Sequence, residues 1–149
     1  MISKSQILGK FAKSGDLTPT RLANIDRLAA ASNRLMAQGM KEGTVFPISP
    51  FTKNQISTDV GGFREQCCAT GAPMSAHKQG LALDLFDGAN GAIGKWLLKS
   101  WADQRSETAK LIKELGFYFE HPDFTKGQYT HWSHWSLVQP TSKNRFFKP

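Results

Sequence analysis

Ser75-Ala-His77-Lys-Gln-Gly80-Leu-Ala82-Leu-Asp84-Leu85 places a histidine and an aspartate seven residues apart, with a glycine and a small residue between them. From Leu81 the residues alternate: Leu81, Leu83 and Leu85 fall on one side, Ala82, Asp84 and Phe86 on the other. That is the two-residue period of a half-buried strand. The stretch therefore reads as a loop bearing His77, a turn at Gly80, and a strand that carries Asp84 back beside the histidine. An imidazole nitrogen and a carboxylate oxygen held together in this way are two parts of a zinc site. A third ligand is on offer in His131-Trp-Ser-His134, about fifty residues further on. A His/Asp/His set leaves the fourth position to water, which is the catalytic rather than the structural arrangement.

The same stretch resembles the S-x-H-x-x-G-x-A-x-D signature of the D-Ala-D-Ala carboxypeptidase and L-alanyl-D-glutamate endopeptidase family of zinc enzymes. Ser75, His77, Gly80, Ala82 and Asp84 fill every fixed position of it. Gly62-Phe63-Arg64, with its arginine thirteen residues ahead of His77, is similar to a Gly-aromatic-Arg triplet common upstream in that family. The C-terminal part is similar to phage-type members in Phe119-Glu120, Pro122, Thr125-Lys-Gly127, Trp132-Ser-His134, Pro140 and residues 145–149. Most of residues 18–149 is covered.

The resemblance implies an α+β fold shared with hedgehog-type signalling domains, with a small antiparallel sheet carrying zinc on one face and helices packed on the other. It implies zinc-dependent hydrolysis of peptidoglycan stem peptides, by a phage-type endolysin or a murein endopeptidase or carboxypeptidase. His77, Asp84 and His134 are the implied metal ligands, and Ser75 is expected to hydrogen-bond the substrate or a ligand. Arg64 on its own reads as a surface arginine beside a turn. Near zinc, a guanidinium suits a substrate carboxylate or a developing oxyanion.

His131 and His134 are three apart and face opposite sides of a regular strand, so only one meets the metal unless a bulge intervenes. The family's Trp-x-His placement selects His134. Many members carry Glu or Asp three residues before that histidine as general base, and here the position is His131. An imidazole accepts a proton near neutral pH, so His131 is one catalytic candidate and Glu120 the other. The alternative is a zinc-bearing binding or virion structural module of the same fold with little turnover.

The length of 149 residues fits a single domain, 1–149, and 40% hydrophobic with 21% charged residues fits a globular chain. A monomer is the favoured state. No apolar run reaches the length of a membrane-spanning helix. The first nineteen residues lack the apolar core and cleavage site of a secretory signal. Synthesis in the cytoplasm is therefore expected, with holin-type release or carriage in a phage particle implied by the resemblance. The excess of 19 Lys+Arg over 12 Asp+Glu, a net charge of +7, favours an anionic partner such as a cell wall or membrane surface. The lack of a long basic run or a known binding motif argues against nucleic acid. Adjacent Cys67 and Cys68 read as reduced thiols, one of them buried, because a disulfide between neighbours is strained.

Around the central stretch, a helical turn is expected near Ile7, Leu8 and Phe11. A longer helix is capped by Thr18-Pro19 and stopped at Gly39. Residues 45–57, broken by Pro47 and Pro50, read as short extended pieces, and residues 87–91 as a turn. Helical spacing runs from Ile93 to Leu115 with Trp96 and Trp101 on its apolar stripe, a polar gap at 103–108, and Gly116 at its end. Phe117 to Glu120 is strand-like, residues 121–123 turn the chain, and residues 130–138 form the last expected strand.

Overall fold

A computed structural model describes residues 1–71 and 75–149 of the chain. The fold is α+β, with helices α1 (Lys4–Leu8), α2 (Pro19–Lys41), α3 (Ala92–Ala102) and α4 (Glu107–Leu115). Strands β1 (Ala82–Phe86), β2 (Tyr118–Glu120), β3 (Trp132–Ser136) and β4 (Phe146–Phe147) form one sheet in the order β1-β3-β2-β4. β3 pairs antiparallel with β1, setting Asp84 opposite His134 and Leu83 opposite Trp135. On its other side β3 pairs antiparallel with β2, with Phe119 opposite Trp135.

The sheet is mixed, not wholly antiparallel as expected, because β4 runs parallel to β2. The segment 130–138 is accordingly not the last strand, and its regular part is only Trp132–Ser136. A two-residue strand shows no alternation, so the sequence carries no periodic signal for β4. The outer edge of β1 is covered by the proline-broken segment and the turn after it. Phe86 N–H donates to Gln55 O (2.8 Å), Ser57 N–H donates to Asp84 O (2.9 Å), and Asp84 N–H donates to Gly61 O (2.7 Å).

The helices start where local chemistry favours it. Ser3 and Gln6 form a reciprocal capping box on α1. The Thr18 hydroxyl accepts the Arg21 N–H at 3.2 Å at the head of α2, with Pro19 in the first turn. The Ser106 hydroxyl accepts the Ala109 N–H at 3.0 Å, so the polar gap does separate α3 from α4. Gly116, at φ 82°, ends α4.

Gly39 does not stop α2, which continues to Lys41. A Cβ at Gly39 would lie 2.9 Å from the Phe46 and Trp96 rings, so this glycine permits close packing against α3 rather than termination. Glu42 is the C-cap of α2, followed by Gly43 at φ 89°.

One face of the sheet makes the core. Leu83, Leu85, Phe119 and Trp135 are buried against Ile25, Leu28 and Leu35 of α2, Ile93 and Leu97 of α3, and Ile112 of α4. Trp135 stands edge-on to Phe117 (5.4 Å between centroids), Phe119 (5.9 Å) and Phe46 (6.2 Å). Trp96 and Trp101 pack on this core half-buried, as their spacing predicts. Complete burial of a side chain such as Leu83, Leu85 or Phe119 contributes about 1.5–3 kcal/mol, so register is strongly held. That register turns Asp84 and His134 to the opposite face. Among the described residues, no helix is long and apolar enough to cross a membrane.

Candidate metal centre

His77 sits on a 3-10 turn, Ala76–Gln79, whose first N–H groups need an acceptor. The Ser75 hydroxyl supplies one, accepting the His77 N–H at 3.3 Å. Gly80 closes the turn in the left-handed region (φ 73°). A Cβ there would also lie 2.9 Å from the Arg21 carbonyl of α2, so both conformation and contact demand glycine. Asn24 of α2 pins the turn by donating from Nδ2 to Gln79 O at 2.9 Å.

Asp84 and His134 face each other across β1 and β3, and His77 reaches them from the turn. All three are buried, and one ligand atom from each lies within 4.8 Å of the others. His134 Nδ1 is 2.8 Å from Asp84 Oδ1, and His77 Nε2 is 3.4 Å from the same oxygen. His77 Nδ1 lies 2.9 Å from Gly62 O. A carbonyl can only accept, so Nδ1 carries a proton, and Nε2 is the nitrogen that could give a lone pair to a metal once it carries none.

Ligand atoms around a tetrahedral zinc stand about 3.4 Å apart. The His77–Asp84 separation of 3.4 Å meets that value, and the His134–Asp84 pair, at 2.8 Å, would have to open by about 0.6 Å. Nitrogen, nitrogen and carboxylate oxygen, buried together, form a group that could hold a metal ion.

The electrostatics follow from crowding. Burial works to raise the Asp84 pKa, but the His77 and His134 imidazoles more than offset it and hold the carboxyl well below the usual carboxylate range. Burial opposes charge on His134, yet its bond to Asp84 and the nearby Glu120 carboxylate pull its pKa above the ordinary histidine value. Glu120 is pushed above the ordinary glutamate value by burial, with Asp84 adding repulsion and His134 opposing.

A cavity of about 660 Å³ opens onto these groups, and Arg64, Ser75, Glu120 and His131 line it as well. The β2–β3 register, continued one step from Phe119 opposite Trp135, sets Glu120 beside His134. His131 is held elsewhere: its backbone accepts from Asp87 N–H (2.9 Å) and donates to Gly88 O (2.7 Å), and its ring rests on Gly91. Its Nδ1 is buried with no hydrogen-bond partner among the described residues. Arg64 is not a surface residue. It is buried, with Nη2 3.2 Å from Asp84 Oδ2 and Nε donating to Val60 O at 2.6 Å.

Sequence reasoning overlooked two groups. Lys78 is buried and donates to Gln66 O (3.2 Å) and Cys68 O (2.8 Å), tying residues 66–68 to the His77 turn. Its position in the motif hides this, because a lysine between a histidine and a glycine looks solvated. The apolar wall formed by Phe51, Phe86, Trp132 and Phe147 gathers from four separate segments, and no local pattern announces it. Cys67 and Cys68 are free thiols, one exposed and one half-buried, so neither fills the buried position expected. Comparison of the chain with protein-family models, with curated proteins and with solved structures finds no match, which leaves the site's own chemistry as the guide to function.

Proposed function

We propose that this chain is a zinc-dependent peptidase acting on the peptide bonds of peptidoglycan stem peptides. The observation that carries the proposal is the buried His77/Asp84/His134 group at an open cavity with Glu120 beside it. Zinc bound there would supply Lewis acidity, polarising a scissile carbonyl and making nearby water easier to deprotonate. Glu120 then takes the proton from the attacking water and hands it to the leaving amine. A carboxylate whose pKa is raised by burial is the better base for that task. The cavity volume is in the range of small-ligand sites, and its aromatic wall gives a short peptide apolar surface to lie on. The net charge of +7 suits a polyanionic wall. Stem peptides as substrate, and release or carriage by a phage, rest on the motif resemblance.

Digestion of purified sacculi tests this. Free amino groups should appear without new reducing sugar ends, chelator should abolish their release, and zinc should restore it. New reducing ends, or release indifferent to chelator, would overturn the proposal. A second reading, a metal-bearing module without turnover, is favoured by His131 at the position where related enzymes carry an acidic base. It forecasts about one metal per chain and no amine release from sacculi.

A further inference from the structure

Arg64 occupies a position that its chemistry alone does not require, since a guanidinium serving substrate would leave its fork free to meet it. Instead the side chain, although it lines the cavity, is 7% exposed, with Nε and Nη2 engaged by protein groups. Nε donates to Val60 O, Nη2 meets Asp84 Oδ2, and the Arg64 backbone N–H donates to His77 O at 3.3 Å. Gly71 closes over the far side: a Cβ there would lie 2.8 Å from Nη1. The two oxygens of Asp84 are thereby divided. Oδ2 belongs to Arg64, while Oδ1 faces both His134 Nδ1 and His77 Nε2.

We propose that Arg64 is a positioning residue that makes Asp84 a one-oxygen metal ligand, rather than a residue that binds substrate. The preceding residue but one supports the same function, because the Gly62 carbonyl fixes the tautomer of His77. The segment 62–64 thus orients two of the three ligands from behind. Left free, an aspartate can swing to offer both oxygens to a divalent ion, which raises the coordination number and weakens the preference for tetrahedral ions. Loss of such an outer partner lowers metal affinity by roughly 10–100-fold.

This inference rests on the metal site proposed above, and the experiment separates the two. Full-length wild type, Arg64→Ala and Arg64→Lys are titrated with zinc against a chelator and with cobalt(II) by visible absorption. Wild type that takes up no stoichiometric metal sinks the site itself. With wild type loaded, Arg64→Ala should bind zinc roughly 10–100-fold more weakly, and its cobalt bands should weaken as coordination number rises. Arg64→Lys keeps the charge but cannot bridge Val60 and Asp84 together, so it should fall between. Unchanged zinc affinity and cobalt spectrum in Arg64→Ala, with only KM raised, would assign Arg64 to substrate and overturn the proposal. If Arg64→Ala does not fold, a folded Arg64→Lys with wild-type affinity and spectrum overturns it equally.

Discussion

Glu120 and His131 both line the cavity, yet their surroundings assign them different work. Glu120 is close enough to His77, Asp84, His134 and Arg64 for each to act on its charge. His131 is held through its backbone by residues 87–88 and its ring leans on Gly91. A proton acceptor must stand within hydrogen-bond reach of the water it activates, which favours Glu120. Glu120→Gln should therefore keep its metal and lower kcat by about 10²–10⁴-fold, the usual size of general acid–base assistance. His131→Ala should keep both metal and most of its turnover. Steady-state rates on one stem-peptide substrate, with metal content checked in each variant, decide the point. A crippled His131→Ala beside an active Glu120→Gln would reverse the assignment. The sequence left these two candidates level because strand alternation alone does not say which neighbouring strand supplies a base.

At the scale of the element, α3 depends on a residue the sequence places only in a turn. Its N-cap is Gly91, which has no side chain to accept the first N–H groups. Asp87 accepts them instead, from Ile93 N–H at 2.6 Å and Gly94 N–H at 2.9 Å, in a buried setting. Asp87→Ala orphans both donors and should cost about 1–3 kcal/mol. Asp87→Asn keeps an acceptor and should cost less. Chemical denaturation of the two variants measures the difference, and equal stabilities would mean that water replaces the cap.

Other elements divide by how local their causes are. The start of α2 and the turn at Gly80 were legible, since Thr18-Pro19 and a His-x-x-Gly turn act over three or four residues. The stop placed at Gly39 misled because a glycine needed for contact with Phe46 and Trp96 looks, in sequence, like one needed for termination. Burial of Arg64 was equally hidden, for its partners Val60 and Asp84 lie 4 residues before it and 20 after it.

Across the whole molecule, metal and proton compete for the same buried nitrogen, and stability should record it. Without metal, Asp84 and a protonated His134 form an ion pair within the sheet. The His134 pKa is raised in the folded state, so its contribution is full below the unfolded value of about 6.5 and is lost as pH rises through the folded value. The Asp84 pKa is depressed, so its contribution is full above the unfolded value of about 3.9 and is lost as pH falls through the folded value. Metal-free protein should accordingly be most stable between about pH 4 and 6.5, a dependence that Asp84→Asn should flatten. Zinc has the opposite preference, since a ligating imidazole must give up its proton. At a free concentration 100 times Kd, a metal that binds only the folded chain adds about 2.7 kcal/mol, roughly 5–10 °C in Tm for a domain of this size. Thermal melts in chelator and in zinc should then diverge as pH rises from about 5.5 to about 8, as zinc displaces the His134 proton. A zinc-induced shift that stays constant over that range would show that His134 is already neutral in the metal-free fold, and the ion pair with Asp84 would have to be abandoned.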